Sequence, residues 1–93
     1  MLDEITYLEV MDHSVIIHTS DGVHLLNATL SGLEQKLETR GFLRIHKSYL
    51  VNMRCIRKFR CLECLLADGT TLAVSERHYA QQKQKYLLWK GLT

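Results

Sequence analysis

The 93-residue sequence contains no proline and no apolar run long enough to cross a bilayer. The first absence excludes a proline-rich linker, and the second excludes a membrane-spanning helix, which needs about 20 mainly apolar residues. The acidic start, residues 1–4, also lacks the basic and apolar regions of a signal peptide. We therefore expect a cytoplasmic protein with no membrane insertion.

Cysteine is scarce and odd in number, with Cys55, Cys61 and Cys64 alone. Such a set does not suit a disulfide scaffold and favours a reducing compartment. Cys61 and Cys64 form one CxxC motif, but no second ligand pair has the spacing of a zinc site, and none of the five histidines supplies it. The sequence therefore predicts no bound metal, no cofactor and no obligatory disulfide.

Catalytic signatures are missing as well. The sequence has no Gly-x-Ser-x-Gly elbow, no glycine loop of the kind that cradles phosphates and no His-Glu-x-x-His motif. Nothing arranges its serines and histidines into a recognisable triad. We expect a protein that is not an enzyme.

The residues that are present describe one folded domain, residues 1–93. Apolar residues make up 46% of the chain and charged residues 24%, which is typical of a soluble globular protein. The charge is unevenly placed: residues 1–39 carry a net charge of −6, and residues 40–60 carry seven lysines and arginines with no acid. Such a basic block attracts polyanions such as nucleic acid. The alternative is that these side chains are merely solvated along a strand.

Short strand-like segments dominate the chain. They are residues 5–10, 14–19, 23–26, 42–51, 53–59, 62–66 and 70–74. Asp21-Gly22 and Asp68-Gly69 each stand between two such segments and predict two hairpin turns.

Two helices are predicted between and after these segments. Leucines at helical spacing indicate a helix over 30–37, which Ser31 and Glu34 could start as a capping box, with Thr29 as the alternative cap. Ser75 is suited to cap a final helix over 76–89. The sequence therefore predicts a β-rich α+β fold.

The segment 42–52 alternates apolar anchors with hydrogen-bond donors. Its donors are Arg44, His46, Lys47 and Ser48. An exposed loop with these donors, anchored on both sides, is suited to hold phosphates and to reach base edges. The alternative interpretation is a polar bend between two strands.

Four segments together resemble the LytTR DNA-binding domain, the output module of many bacterial response regulators. They are Ile5-Thr6-Tyr7-Leu8-Glu9, Thr29-Leu30, the block Phe42 to Asn52, and Ala73-Val74-Ser75-Glu76-Arg77. The resemblance covers nearly the whole chain. It implies a mostly β fold with short helices, in which three small antiparallel sheets form an elongated arrangement. It also implies that loops, rather than a recognition helix, enter the major groove.

The resemblance further implies which residues contact DNA. Base contacts fall on His13 in the loop after the first strand, on Lys47 and on Arg77. Contacts to the DNA backbone, or support of the loop, fall on the set Arg44, His46, Ser48 and Ser75. Some relatives carry Asn where Lys47 stands, so the preferred base is left open.

The implied partner is double-stranded DNA, read at tandem sites. Members of the family usually carry another strand before Ile5, so we expect this chain to lack the first strand of its domain. We also expect a receiver domain to lie upstream in the full-length protein. The alternatives are a freestanding regulator controlled by a protein or membrane inhibitor, and a protein-interaction module. RNA binding is a further alternative, although an RNP-type aromatic pair is missing. We expect the isolated domain to be a monomer.

Overall fold

The computed structural model describes residues 4–91. Eight strands and two α-helices follow one another in this range: β1 (Ile5–Met11), β2 (Ser14–Thr19), β3 (Gly22–Leu26), α1 (Leu30–Leu37), β4 (Phe42–His46), β5 (Tyr49–Asn52), β6 (Ile56–Phe59), β7 (Glu63–Leu66), β8 (Thr71–Ala73) and α2 (Glu76–Lys90). Short 3₁₀ turns cover Glu38–Arg40 and Met53–Cys55. The prediction of a mostly β fold with short helices is confirmed.

The strands form two antiparallel sheets, not the three that we expected. The larger sheet has the order β3-β2-β1-β5-β4, and the smaller has the order β6-β7-β8. Strands β1–β3 and the hairpin of β4 and β5 form one sheet, because β1 pairs with β2 on one side and with β5 on the other. Leu8 thus lies opposite both Ile17 and Leu50. The molecule is elongated, with extents of 36 × 25 × 23 Å.

The turn between β2 and β3 is shifted by one residue from the predicted Asp21-Gly22 pair. Gly22 pairs with Thr19, which leaves Ser20 and Asp21 as the turn residues. The Thr19 hydroxyl accepts a hydrogen bond from the Asp21 amide at 3.2 Å and donates one to the Gly22 carbonyl at 2.9 Å. Because the Thr19 side chain makes these bonds, the turn forms around Ser20 and Asp21 and not around the predicted Asp21-Gly22 pair. Such local side-chain bonds compete with the turn preference of an Asp-Gly pair.

The turn between β7 and β8 contains Asp68 and Gly69, as predicted. Gly69 adopts a φ of 95°, which glycine reaches without steric cost. The Leu66 amide donates to the Thr70 carbonyl at 2.8 Å across this turn.

Side chains alternate across the large sheet and build a core on each face. The cluster on the α1 face consists of Leu8, Val15, Leu30, Phe42 and Leu50. The cluster on the opposite face, against α2 and the small sheet, consists of Leu43, Ile45, Val51, Met53, Cys64, Leu66, Leu72, Val74 and Tyr86. The sheet is therefore fixed from both sides where β1, β4 and β5 run.

The helix caps settle one alternative left by the sequence and confirm one prediction. Thr29, not Ser31, caps α1, because its hydroxyl accepts a hydrogen bond from the Gly32 amide at 3.1 Å. Ser75 caps α2, as predicted, and accepts from the His78 amide at 3.1 Å. The strand expected over 53–59 begins only at Ile56, since the preceding residues form a 3₁₀ turn.

Asn52 is a buried polar residue that joins the end of β5 to the start of β1. Its amide nitrogen donates to the Ile5 carbonyl at 2.9 Å, and its amide oxygen accepts from the Arg54 amide at 3.1 Å. The residue is only 3% exposed. Asn52→Ala would leave both backbone groups without their partner, so we expect the free energy of unfolding to fall by about 1–3 kcal/mol.

Urea unfolding of the wild type and the variant measures this change. Asn27→Ala is the matched control, because Asn27 is exposed and its replacement should change stability by less than about 0.5 kcal/mol. An equal loss in both variants would contradict the role given to Asn52.

Candidate nucleic-acid interface

Two hairpin turns lie side by side at one end of the large sheet. The Asp12-His13 turn joins β1 to β2, and the Lys47-Ser48 turn joins β4 to β5. Because β1 and β5 are antiparallel neighbours, the end of β1 lies beside the start of β5. The Val10 amide donates to the Ser48 carbonyl at 3.0 Å and so ties the second turn to β1.

A cleft of about 490 Å³ separates the two turns from the start of α1. Its lining consists of Val10, Asp12, His13, Ser14, Val15, Ala28, Thr29, Leu30, Ser31, Arg44 and Lys47. His13 and Lys47, two of the three predicted base contacts, are both exposed. The fold thus brings together residues that stand 34 positions apart in the sequence.

Arg44 holds the Lys47-Ser48 turn from within β4. Its Nε donates to the His46 carbonyl at 2.7 Å, and its Nη2 donates to the Lys47 carbonyl at 2.6 Å. Its Nη1 pairs with Glu34 of α1 at 2.7 Å. The side chain is only 11% exposed. All three guanidinium nitrogens therefore contact protein groups, which is an arrangement that supports the loop.

His46 and Ser48 complete the bonding of this turn. The Nδ1 atom of His46 accepts a hydrogen bond from the Ser48 amide at 3.1 Å, which places the proton of the neutral ring on Nε2. The His46 ring also packs against Tyr49, with 5.4 Å between ring centroids. The turn is thus held by Arg44, by His46 and by Val10, whereas Lys47 is exposed.

The start of α2 is fixed to the same region. The Ser75 amide donates to the Ile45 carbonyl of β4 at 3.1 Å, and the Ser75 hydroxyl lies 2.6 Å from Nδ1 of His78. Arg77, the third predicted base contact, is exposed in the first turn of α2. Within residues 4–91 its guanidinium makes no hydrogen bond or ion pair.

The charges of these elements act on one another. Burial lowers the pKa of His78, and the positive charges of Arg44 and Arg77 lower it further. Glu34 acts in the opposite direction and raises it. Charged groups on β4, on α1 and in the first turn of α2 therefore all act on the His78 ring.

The family model of the LytTr DNA-binding domain matches residues 1–86. The chain belongs to this family. In broad terms this LytTr domain is thus a DNA-binding module of transcription regulation. A solved LytTr DNA-binding domain from Bacillus cereus has the same fold, with a TM-score of 0.78 and 23% identity, over 91% of this chain and 82% of that one.

Two curated relatives contain a similar segment. The sensory transduction protein LytT of Bacillus subtilis (strain 168) is 30% identical over 89 residues, which are 90% of this chain and 36% of that protein. The CO-responsive transcriptional regulator RcoM of Rhodospirillum rubrum is 38% identical over 56 residues, which are 60% of this chain and 24% of that protein. The matched segment of this chain thus spans 36% of the length of the LytT protein and 24% of the length of RcoM.

Of the seven basic residues in the block of this LytTr domain, Arg40 lies in the 3₁₀ turn after α1, and the other six divide between two places. Arg44 and Lys47 lie at the cleft. The other four basic residues are exposed and lie on the small-sheet side; they are Arg54 in the 3₁₀ turn, Arg57 and Lys58 on β6, and Arg60 just after β6. Sequence reasoning did not single out Thr29, Asp12 or Glu34 as parts of this site. No sequence signal links Glu34 to Arg44, because the two stand on different elements.

The three cysteines of the LytTr domain differ in their exposure to solvent. Cys61 is exposed, Cys55 is half-buried and Cys64 is buried, and burial raises the pKa of the Cys64 thiol to about 12. Within residues 4–91, no three His, Cys, Asp or Glu side chains are placed to hold a metal ion. None of the helices in that same range is long and apolar enough to cross a membrane.

Proposed function

We propose that this LytTr domain binds double-stranded DNA sequence-specifically, in the cytoplasm, and controls transcription without any catalytic step. The observation that carries the proposal is that the two hairpin tips and the start of α1 line one cleft, to which the tips contribute His13 and Lys47. Arg77 lies outside the lining of this cleft, and we include it in the proposal because the Ser75 amide ties the start of its helix to β4. Exposed donors on adjacent loops are suited to reach base edges in the major groove.

The hydrogen bonds suggest which residues contact bases and which support the loop. His13, Lys47 and Arg77 carry the base contacts, since all three are exposed. Arg44 and His46 support the Lys47 turn, and their bonds within that turn favour this role. Ser48 and Ser75 lie next to these residues, and we propose them as contacts to phosphate.

We also propose that the domain is the output end of a longer two-component regulator with an upstream receiver domain. The length of the curated relatives supports this, because the matched segment is 36% of the Bacillus subtilis protein. The CO-responsive relative favours a broader alternative, in which the same domain follows other sensory modules. A freestanding regulator controlled by an inhibitor is the second alternative.

Selection of bound duplexes from a random pool tests the main proposal. We expect one short motif to be enriched, and the affinity for it to fall steeply with salt, because contacts to phosphate release counterions. Single-stranded RNA of the same length is the control ligand. Enrichment of no motif, or equal binding of RNA, would contradict the proposal.

The monomer prediction is part of the same proposal. The isolated domain should sediment as a monomer at micromolar concentration, and two copies should come together only on duplexes with two sites. In a longer protein, an upstream domain that joins two copies would raise the effective concentration for the second site. Sedimentation with no DNA, with a one-site duplex and with a two-site duplex measures this. A stable dimer without DNA would count against it.

A further inference from the structure

Glu34 is an acidic side chain next to a surface that we propose to face a polyanion. Its carboxylate lies 2.7 Å from Nη1 of Arg44, and its side chain is 30% exposed. A negative charge there repels DNA phosphates, so on electrostatic grounds alone this residue weakens binding. A compensating role must lie in what the carboxylate holds.

The Arg44 guanidinium is a planar fork with a fixed arrangement of donors. Two of its nitrogens reach the carbonyls of His46, the last residue of β4, and of Lys47 in the β4–β5 turn. Only the third nitrogen reaches another element, and its partner is Glu34 on α1. Once the carboxylate fixes that corner of the fork, the remaining donors are aimed at the two carbonyls.

We infer that Glu34 is a positioning residue for base recognition: it orients Arg44, and Arg44 holds the turn that presents Lys47. The inference rests on the proposed function. The carboxylate does not touch DNA in this scheme. It acts through Arg44, and a site must hold its contact groups to within about 0.5 Å to be selective.

The inference predicts the opposite sign from simple electrostatics. Removing an acid beside DNA should strengthen binding through charge alone, whereas loss of a positioning residue should weaken recognition of the selected duplex. Without Glu34, the Arg44 fork loses its partner on α1 and can turn as a whole towards water or phosphate. The Lys47 backbone then loses part of its support.

Glu34→Ala is the test variant, and Glu38→Ala is its matched control. Glu38 begins the 3₁₀ turn that follows α1 and is exposed, and its side chain makes no ion pair within residues 4–91. Both changes remove one negative charge from the same region. For Glu34→Ala we expect the affinity ratio between the selected duplex and a scrambled duplex to fall about tenfold, the effect of losing a hydrogen bond to a charged group.

Fluorescence anisotropy with both labelled duplexes measures the ratio. For Glu38→Ala we expect the ratio to stay within about twofold of the wild type, while both affinities rise slightly. Equal ratios for the two variants, or tighter selective binding by Glu34→Ala, would overturn the inference. Glu34→Gln provides a second variant that keeps the side-chain size if the alanine variant unfolds.

A measurement on the free protein separates this inference from the proposed function. Amide hydrogen exchange at Val10 and Ser48 reports on the two bonds that fix the turn. We expect both amides to exchange faster in Glu34→Ala than in Glu38→Ala, whereas the Leu66 amide in the distant hairpin should not change. Unchanged exchange at Val10 and Ser48 would overturn the positioning role. Failure of the wild type to select any duplex would overturn the proposed function alone.

Discussion

Arg77→Ala is expected to weaken binding of the selected duplex by about 1–3 kcal/mol, because an arginine can donate two hydrogen bonds to guanine. Random duplex should lose far less. The change should leave stability nearly intact, since Arg77 is exposed and a positive charge in the first turn of a helix is disfavoured by the helix dipole. Competition between the selected and a random duplex measures the difference.

Arg57→Ala is the control for this prediction. It removes the same charge from an exposed position on β6, away from the cleft. We expect it to lower the affinity for both duplexes by the same factor, as a general electrostatic effect does. If Arg77→Ala also lowers both affinities equally, Arg77 contacts only phosphate and our assignment of a base contact is wrong.

Leu50→Ala is expected to lower the free energy of unfolding by about 2–5 kcal/mol, the range for leucine truncation in a packed core. Leu50 has 0% exposure and lies in the central part of the sheet, opposite Leu8 of β1 and Arg44 of β4. A domain with a stability of about 5–15 kcal/mol cannot lose this amount without a large shift in its unfolding midpoint.

Urea unfolding followed by circular dichroism measures this loss. Leu25→Ala is the matched control, because Leu25 is 73% exposed on the edge strand β3. Its truncation removes the same atoms and should change stability by less than about 0.5 kcal/mol. Equal losses at the two positions would show that the core described around Leu50 does not carry the stability.

The local elements could be predicted from the sequence because their signals are local. The leucine spacing of α1, the Ser75 cap and the Asp68-Gly69 turn each depend on residues within a few positions. The union of β1 and β5 could not be predicted in this way, since it pairs residues such as Leu8 and Leu50 that lie far apart in the sequence. The family resemblance implied three sheets, and that number was wrong because this pairing joins β1–β3 to β4 and β5 in one sheet.

The candidate site follows the same division. The resemblance supplied His13, Lys47 and Arg77, and these assignments stay predictions. The ion pair between Glu34 and Arg44 was invisible, because a capping box explained Glu34 equally well from sequence. Thr29 occupies the cap position instead and leaves the Glu34 carboxylate for another partner. The Thr29 hydroxyl therefore decides that the Thr29 cap forms and that the Ser31–Glu34 capping box does not.

The strand order β2-β1-β5-β4 fixes the distance between the two hairpin tips. Each tip lies midway between its own two strands, so the tips are two strand spacings apart, or about 10 Å. Since successive bases along a DNA strand are about 3.4 Å apart, this distance corresponds to about three base pairs. Backbone hydrogen bonds fix the spacing of the strands. With the base contacts proposed above for His13 and Lys47, we expect substitutions at the tips to change which bases are preferred and to leave the interval between those bases constant.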